Sequence, residues 1–441
     1  MKLISIMMKL VKWLLLGFFC LAILIASIYG LYKAFSMWTF EKEIMRNDKP
    51  YGGGDLRVKG RELLVFKPIQ AEIKFKEPLD PNRQKPEVSQ VTEPWMNDIA
   101  ETINRSTIRL LRGTIDNDVK RIFEQRGQNG AWWVSPDWQT LYVTTNWMDY
   151  HLPNGADGYG QTWHTLWKSI DGGLQWKQLE WPERSDAGQP LFLPDGKRGY
   201  LIGSGMRVWR TEDAGEHWQE INLPKWTNQQ LMPSPDGNGF SPWVKETRAK
   251  FNAFDLALDG TLRLAFFVKD AQLFRGRISN SSLVYALPWN ITEKDLITKW
   301  LQPESILPLQ VVRDIKANQE GEQHLITLQG LPIDGQKKGD SKRVREANYV
   351  LLKQGKELLR HSFLEYVKPG ALFVGPHDEL ILAADKKTEG QILPDSMTLI
   401  SKDKGHTWSE VVDGSAYAWY YEAEASRIWK YETYSLYWRK L

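Results

Sequence analysis

Cysteine is nearly absent: the 441 residues hold one, Cys20, and it sits inside an apolar run. The rest of the chain can form no disulfide and offers no thiolate for catalysis or metal binding, which suits an oxidising compartment. An excess of one charge is missing too. The formal net charge is +3, and Lys2, Lys9, Lys12 and Lys33, which flank the apolar run, account for more than all of it. A near-neutral body gives no electrostatic reason to expect nucleic acid. The seven histidines form no H-x-x-x-H pair, and no H-E-x-x-H or G-x-S-x-G motif occurs. The glycine-rich stretches at 51–54 and 235–239 suit linkers and turns better than a phosphate cradle. The expectation is a chain with no metal and no cofactor.

Long hydrophobic runs are scarce as well, with one exception. Residues 13–32, "WLLLGFFCLAILIASIYGLY", carry no charge. At about 1.5 Å rise per residue they span roughly the 30 Å hydrocarbon layer. Trp13, Tyr29 and Tyr32 lie near the ends, where amphipathic rings favour the interface. Residues 1–33 contain no acid, and the basic residues before the run place 1–12 in the cytoplasm and the body across the membrane. A cleaved signal peptide would have an apolar region of only about 7–15 residues and a small-residue cleavage site, neither of which fits. The expectation is an uncleaved single-pass anchor. The compact anchor and the scarcity of cysteine suggest a bacterial inner membrane with a periplasmic body.

Tryptophan is abundant, at 21 copies. Its wide ring favours strands and broad packing surfaces. Hydrophobic residues make up 42% of the chain, enough for a sizeable core. A corner followed by a strand-like run recurs along the body: "SPDWQTLYV" (135–143), "LPDGKRGYLI" (193–202), "ALDGTLRLAF" (257–266), "NQEGEQHLITL" (318–328) and "GPHDELILAA" (375–384). Asp137, Asp195, Asp259, Glu320 and Asp378 align, at spacings of 58, 64, 61 and 58 residues. A weaker sixth copy starts at Glu422. Each unit reads as a tight acidic-glycine turn, a buried strand and a following hairpin, repeated as small antiparallel sheets.

Three units carry an octapeptide: "SIDGGLQW" (169–176), "TEDAGEHW" (211–218) and "SKDKGHTW" (401–408). The pattern S/T-x-D-x-G-x-x-W resembles the Asp-box, or BNR repeat, of sialidase-like β-propellers, over roughly residues 128–441. The repeated units and this resemblance together imply an all-β propeller of about six blades, six or seven, and the apolar run 13–32 would precede it as one transmembrane helix. The resemblance also implies a structural role for the octapeptides. Asp171, Asp213 and Asp403 would accept turn N–H groups, supported by Ser169, Thr211 and Ser401. Gly173, Gly215 and Gly405 would take the left-handed position, and Trp176, Trp218 and Trp408 would pack between blades. The family includes sialidases, other glycosidases, assembly factors and binding receptors, so the resemblance says little about function.

Residues 33–56 read as a stalk, and 57–127 as N-terminal strands and linker. A strand within 57–76 is the candidate to close the ring, because the last repeat has room for only three strands. Residues 77–95 read as an exposed linker and 96–104 as a short helix. "AQLFRGRIS" (271–279) and "YVLLKQGKELL" (349–359) resemble degenerate hairpins in the octapeptide position.

No catalytic residues can be assigned. A sialidase needs an arginine triad, a Tyr–Glu pair and an Arg-Ile-Pro motif before the first box, and none can be placed here. The function expected is a non-catalytic, membrane-anchored module that binds a protein, either an accessory or assembly factor or an effector-immunity protein. The alternative is a sialidase-like exo-glycosidase acting on glycans. The binding candidates lie in two stretches. Residues 146–163 supply Trp147, Asp149, Tyr150, His151, Asp157, Tyr159 and Trp163; residues 241–251 supply Trp243, Lys245 and Arg248. Aromatic faces beside polar groups suit proteins or sugars, and long loops on rigid scaffolds often carry binding.

Overall fold

Each acidic-glycine corner folds one strand back onto the next, and the cause is local. The Asp195 carboxylate accepts the backbone N–H groups of Lys197 and Arg198 at 2.8 and 3.0 Å, while Gly196 takes φ +64°. Asp259 accepts from Thr261 at 2.8 Å beside Gly260 at φ +87°, and Asp137 accepts from Gln139 at 3.1 Å. Two corners depart from this pattern. At 318–322 it is Asn318 that accepts the N–H groups of Glu320 and Glu322, at 3.0 and 2.9 Å. At 375–379 Glu379 accepts from His377 at 2.8 Å. Glu320 and Asp378, aligned by sequence with the corner acids, are thereby released for other contacts.

The computed structural model describes residues 39–43, 55–69, 106–116, 119–149, 161–182, 188–203, 206–223, 251–273, 276–300, 302–318, 320–329, 346–363, 366–386, 395–412, 418–432 and 435–440. These form seven four-stranded antiparallel sheets, the blades of a propeller. Blade 1 comprises Asp55–Lys59, Glu62–Ile69, Thr107–Thr114 and Lys120–Arg126. Blade 2 comprises Asn129–Val134, Leu141–Asp149, Gln161–Ser169 and Lys177–Leu179. Blade 3 is made of Gln189–Phe192, Gly199–Ile202, Val208–Thr211 and Gln219–Glu220. Blade 4 is made of Ala253–Leu256, Leu262–Leu273, Gly276–Leu287 and Ser305–Pro308. In blade 5 the strands are Gln310–Ala317, Glu322–Gln329, Glu346–Lys353 and Lys356–Phe363. In blade 6 they are Tyr366–Val374, Leu380–Lys386, Asp395–Ser401 and Ser409–Val412. Blade 7 joins Ala418–Glu422, Arg427–Glu432 and Ser435–Lys440 to Thr39–Glu43, which pairs outside the last of them.

The core is divided among the seams between blades. Leu64 and Leu110 meet Leu141 and Val143 between blades 1 and 2; Tyr142 and Leu166 meet Phe192 between 2 and 3. Tyr200 and Val208 meet Leu264 and Phe266 between 3 and 4; Ala265 and Val284 meet Val312 and Leu325 between 4 and 5. Ile326 and Tyr349 meet Leu382 and Leu399 between 5 and 6; Ile381 and Ile400 meet Tyr421 and Ile428 between 6 and 7. Leu63 and Leu111 meet Trp429 and Leu436, which closes the circle. Each fully buried Leu or Ile contributes about 2 kcal/mol, so the seams rather than the single sheets hold the wheel. The closure is polar as well: Glu422 Oε1 accepts the Gly60 N–H at 2.7 Å.

Three expectations change. The described part of 57–76, which ends at Ile69, does not supply the closing strand. Its strands pair with each other and with Thr107–Thr114, making a complete blade. The closing strand, Thr39–Glu43, falls in the segment read as a stalk; its sequence, TFEKE, has a single large apolar residue, as an outermost strand allows. The hairpin at 271–279 joins the second and third strands of blade 4, at the end opposite the octapeptide position. That position is taken instead by a stretch containing helix α1, Glu293–Trp300, which starts with Thr292 Oγ1 accepting the Asp295 N–H at 3.1 Å and buries Leu296 and Trp300. Residues 13–32 and 96–104 lie outside the described residues. Among the described residues no helix is long and apolar enough to cross a membrane.

Candidate functional site

The three octapeptides share one hydrogen-bond scheme. The hydroxyls of Ser169, Thr211 and Ser401 donate to Oδ1 of Asp171, Asp213 and Asp403 at 2.8, 2.9 and 2.8 Å. The same hydroxyls accept the N–H groups of Gly173, Gly215 and Gly405 at 2.8, 2.9 and 2.8 Å. Each carboxylate also accepts the N–H at position seven, from Gln175, His217 or Thr407, at 2.9 Å. These bonds favour the charged carboxylate. The Thr407 hydroxyl and N–H hold Asp403 at about 2; at Asp213 the bonds from His217 and Thr211 outweigh desolvation and also hold it at about 2.

Each octapeptide is clasped to the preceding blade. The carbonyl at position four accepts from Arg112 Nη1 (Gly172, 2.8 Å), the Tyr142 hydroxyl (Ala214, 2.7 Å) or the Tyr349 hydroxyl (Lys404, 3.1 Å). Trp176 Nε1 donates to the Ile122 carbonyl of blade 1 at 2.8 Å. Trp218 packs against the buried cluster that Tyr142, Leu166 and Leu179 of blade 2 form with Phe192, and Trp408 meets Phe363 of blade 5 with ring centres 5.2 Å apart. The position-four carbonyl and the tryptophan of each octapeptide are thus engaged in holding neighbouring blades, while its hydroxyl and carboxylate hold the turn itself.

Leu380 pairs with Ser401 in blade 6, so the corners after the first strands lie at the same end of the wheel as the octapeptides. A cavity of about 750 Å³ opens there among blades 4 to 7. Four carboxylates line it, Asp255, Asp259, Glu320 and Asp378, against two cations, Arg263 and Lys316. Lys316 Nζ lies 3.4 Å from Asp314 and 3.9 Å from Asp255. Both acids also accept a backbone N–H from the next blade: Asp314 from Leu372 at 2.8 Å, Asp255 from Ala317 at 3.0 Å. Loss of water pushes Asp255 up, against the pull of Lys316 and the Ala317 N–H. Asp255 in the cavity wall and Asp314 beside Lys316 therefore tie neighbouring blades together.

Beside the cavity the described residues contain one grouping of metal-donor atoms. Glu322, His324 and Asp378 each place one donor atom within 4.8 Å of the others. Lys404 Nζ sits among the carboxylates, 2.9 Å from Asp378 and 3.3 Å from both Glu320 and Glu322. Asn318 donates to Glu322 Oε2 and Asp378 Oδ1 at 2.9 and 2.8 Å. Burial lowers the His324 pKa to about 4, outweighing the nearby carboxylates, so the ring is neutral.

The opposite end of the wheel carries what is described of the aromatic loop. Trp147 and Trp163 face each other across the blade 2 hairpin, stacked with centroids 6.4 Å apart and planes 17° apart. Trp163 is 41% exposed, and the Arg126 guanidinium lies over Trp147 at 5.4 Å. From Trp163 to Ser169 the strand runs about 20 Å, which sets this face apart from the octapeptide end. Asp149 ends its strand, but its side chain lies outside the described residues, as do Tyr150, His151, Asp157, Tyr159, Trp243, Lys245 and Arg248. Sequence reasoning missed Arg126, Asp255, Asp314, Lys316 and the Glu322–His324–Asp378–Lys404 group. One signal was available: Lys404 occupies octapeptide position four, which holds Gly172 and Ala214 in the other copies.

No family model matches the chain. It is 35% identical over 66 residues to the vacuolar protein sorting/targeting protein 10 of Mycosarcoma maydis, a match covering 14% of this chain and 4% of that protein. Among solved structures, YCF48 bound to D1 peptide is similar at a TM-score of 0.42 and 12% identity, over 77% of this chain and 91% of that one. The GH74 xyloglucanase of Xanthomonas campestris is similar at 0.45 and 12%, over 76% and 50%. The Cps50 (Swd1) β-propeller domain of Myceliophteria thermophila is similar at 0.46 and 8%, over 91% and 100%. At these values the likenesses carry no functional argument, and the seven-sheet topology itself defines the fold.

Proposed function

We propose that this chain is a non-catalytic propeller of the Asp-box type that docks a protein partner on the Trp147–Trp163 face. In this reading residues 13–32 tether it to a bacterial inner membrane, with residues 1–12 cytoplasmic and the body periplasmic. It then serves as an accessory or assembly factor, or as an effector-immunity protein. The observation that carries the docking face is the stacked tryptophan pair capped by Arg126, exposed at one end of a rigid wheel. Large, pre-stacked rings flanked by a guanidinium are what protein interfaces use as anchors, because burying them releases much apolar area at small entropic cost. The inter-blade bonds of Asp255 and Asp314, and the turn bonds that engage the octapeptide carboxylates, give these acids structural roles, which supports the non-catalytic part.

The test is crosslinking of the full chain in its native membrane, followed by identification of the attached protein. Replacing both tryptophans, W147A with W163A, should weaken capture of that partner at least about 30-fold, as loss of an interface anchor does. Turnover of a sialoside or another glycoside by the full chain, unchanged in the double variant, would make the protein an enzyme and end this reading.

A further inference from the structure

We propose that the seam between blades 5 and 6 is a divalent transition-metal site, with His324 Nε2 and the carboxylates of Glu322 and Asp378 as protein ligands. In the metal-free chain the Lys404 ammonium stands in for the cation.

The argument begins with one proton. The Tyr349 hydroxyl lies 3.1 Å from the Lys404 carbonyl oxygen and 2.8 Å from His324 Nδ1. The carbonyl can only accept, so the hydroxyl proton goes there. The hydroxyl oxygen must then accept from His324, which puts the imidazole proton on Nδ1. Nε2 is left as a bare lone pair. It is fully buried, belongs to a residue with 0% exposure, and has no hydrogen-bond partner. A neutral imidazole fixed in its tautomer by a hydrogen bond at the other nitrogen is the form that ligates a metal.

The two carboxylates complete the set. Glu322 Oε2 and Asp378 Oδ2 are the oxygens that hold the Lys404 ammonium. Their other oxygens are already fixed from outside, Glu322 Oε1 by Lys353 at 3.2 Å and Asp378 Oδ1 by Asn318 at 2.8 Å. A metal replacing the ammonium would therefore meet ligands whose orientation is set by their neighbours. One nitrogen with two carboxylate oxygens suits zinc and its first-row relatives, leaving the remaining positions to water. It does not suit calcium or magnesium, which take oxygen. The route in is the 750 Å³ cavity, whose wall includes Asp378 and Glu320 and whose lining is net acidic. The Lys404 side chain is 37% exposed, so it can leave towards solvent when the ion arrives.

The full chain, freed of metal with EDTA and then dialysed, is titrated with Co²⁺ and followed by its visible ligand-field absorption, with Zn²⁺ as competitor. One equivalent should bind saturably and be displaced by Zn²⁺. His324→Gln should weaken binding at least about tenfold, and Lys404→Met should tighten it on the order of tenfold by removing the competing cation. Should H324Q fail to fold, Asp378→Asn, at a partly exposed side chain, is the substitute and should weaken binding likewise. Equal affinity in H324Q and the parent, no saturable binding in K404M, or Ca²⁺ competing as well as Zn²⁺ would each overturn the assignment.

Discussion

The seams between blades 2 and 3 and between blades 5 and 6 use the same clasp in different surroundings. In both, a buried tyrosine of the earlier blade donates to the position-four carbonyl of the next blade's octapeptide. At the first seam Tyr142 stacks on Phe192, with centroids 3.9 Å apart and planes 10° apart. At the second, the partner of Tyr349 is His324, and an alanine at position four is exchanged for Lys404 among three carboxylates. The backbone scheme needs only Ser or Thr, Asp and Gly. The seam around it is free to be apolar or ionic, and that freedom is where a fold acquires a site.

The sharpest way to break the parallel is at the clasp glycines. Both have positive φ, +81° at Gly215 and +93° at Gly405. A Cβ on Gly405 would lie 2.1 Å from the buried Tyr349 ring, whereas one on Gly215 would meet Leu179 at 3.2 Å. Gly405→Ala is expected to cost about 3 kcal/mol or more, and Gly215→Ala about 1–2 kcal/mol, in denaturant unfolding. Equal losses would mean that the two seams are packed alike.

A smaller effect separates the seams by pH, read in EDTA. Burial depresses His324 to about 4, from 6.5 for a free ring, so the unfolded chain binds the extra proton first as pH falls. The stability this group contributes is present above about pH 6.5 and is lost on acidification towards 4. His217, raised by its hydrogen bond with Asp213, has the opposite sign: its contribution is present at low pH and lost as pH rises through its elevated pKa. It is 89% exposed on its side chain, so its slope is shallow. Thermal unfolding from pH 7 to 4 should fall steeply in the parent and less in H324Q, while H217Q tracks the parent closely.

The smallest change is expected at Lys177, which pairs with Glu216 at 2.6 Å on the rim of the first seam. Lys177→Ala should alter stability by less than about 0.5 kcal/mol, because both groups are solvated. A larger loss would show that the rim ion pairs, and not only the apolar seams, hold the blades.

The three octapeptides were legible because their scheme is local. A hydroxyl, a carboxylate and a glycine within five residues satisfy one another without help from the rest of the chain. The corners at Asp195 and Asp259 were legible for the same reason. The resemblance to a propeller of six or seven blades followed from their spacing, and the structure has seven. The closing strand was not legible. TFEKE shows little apolar pattern, and its partner at Ser435–Lys440 lies almost 400 residues away. The metal-donor group was hidden for a related reason. Glu320 and Asp378 match the corner acids by alignment, yet Asn318 and Glu379 take over the turn bonds.

The sequence by itself determined the turns, the alternating strands and the number of residues between them, because those depend on neighbours a few positions apart. The tertiary structure alone decided which strand closes the wheel and which carboxylates meet one buried imidazole. Both are contacts across seams, where the free energy comes from burying faces of different blades, and no short stretch of chain contains its own partner.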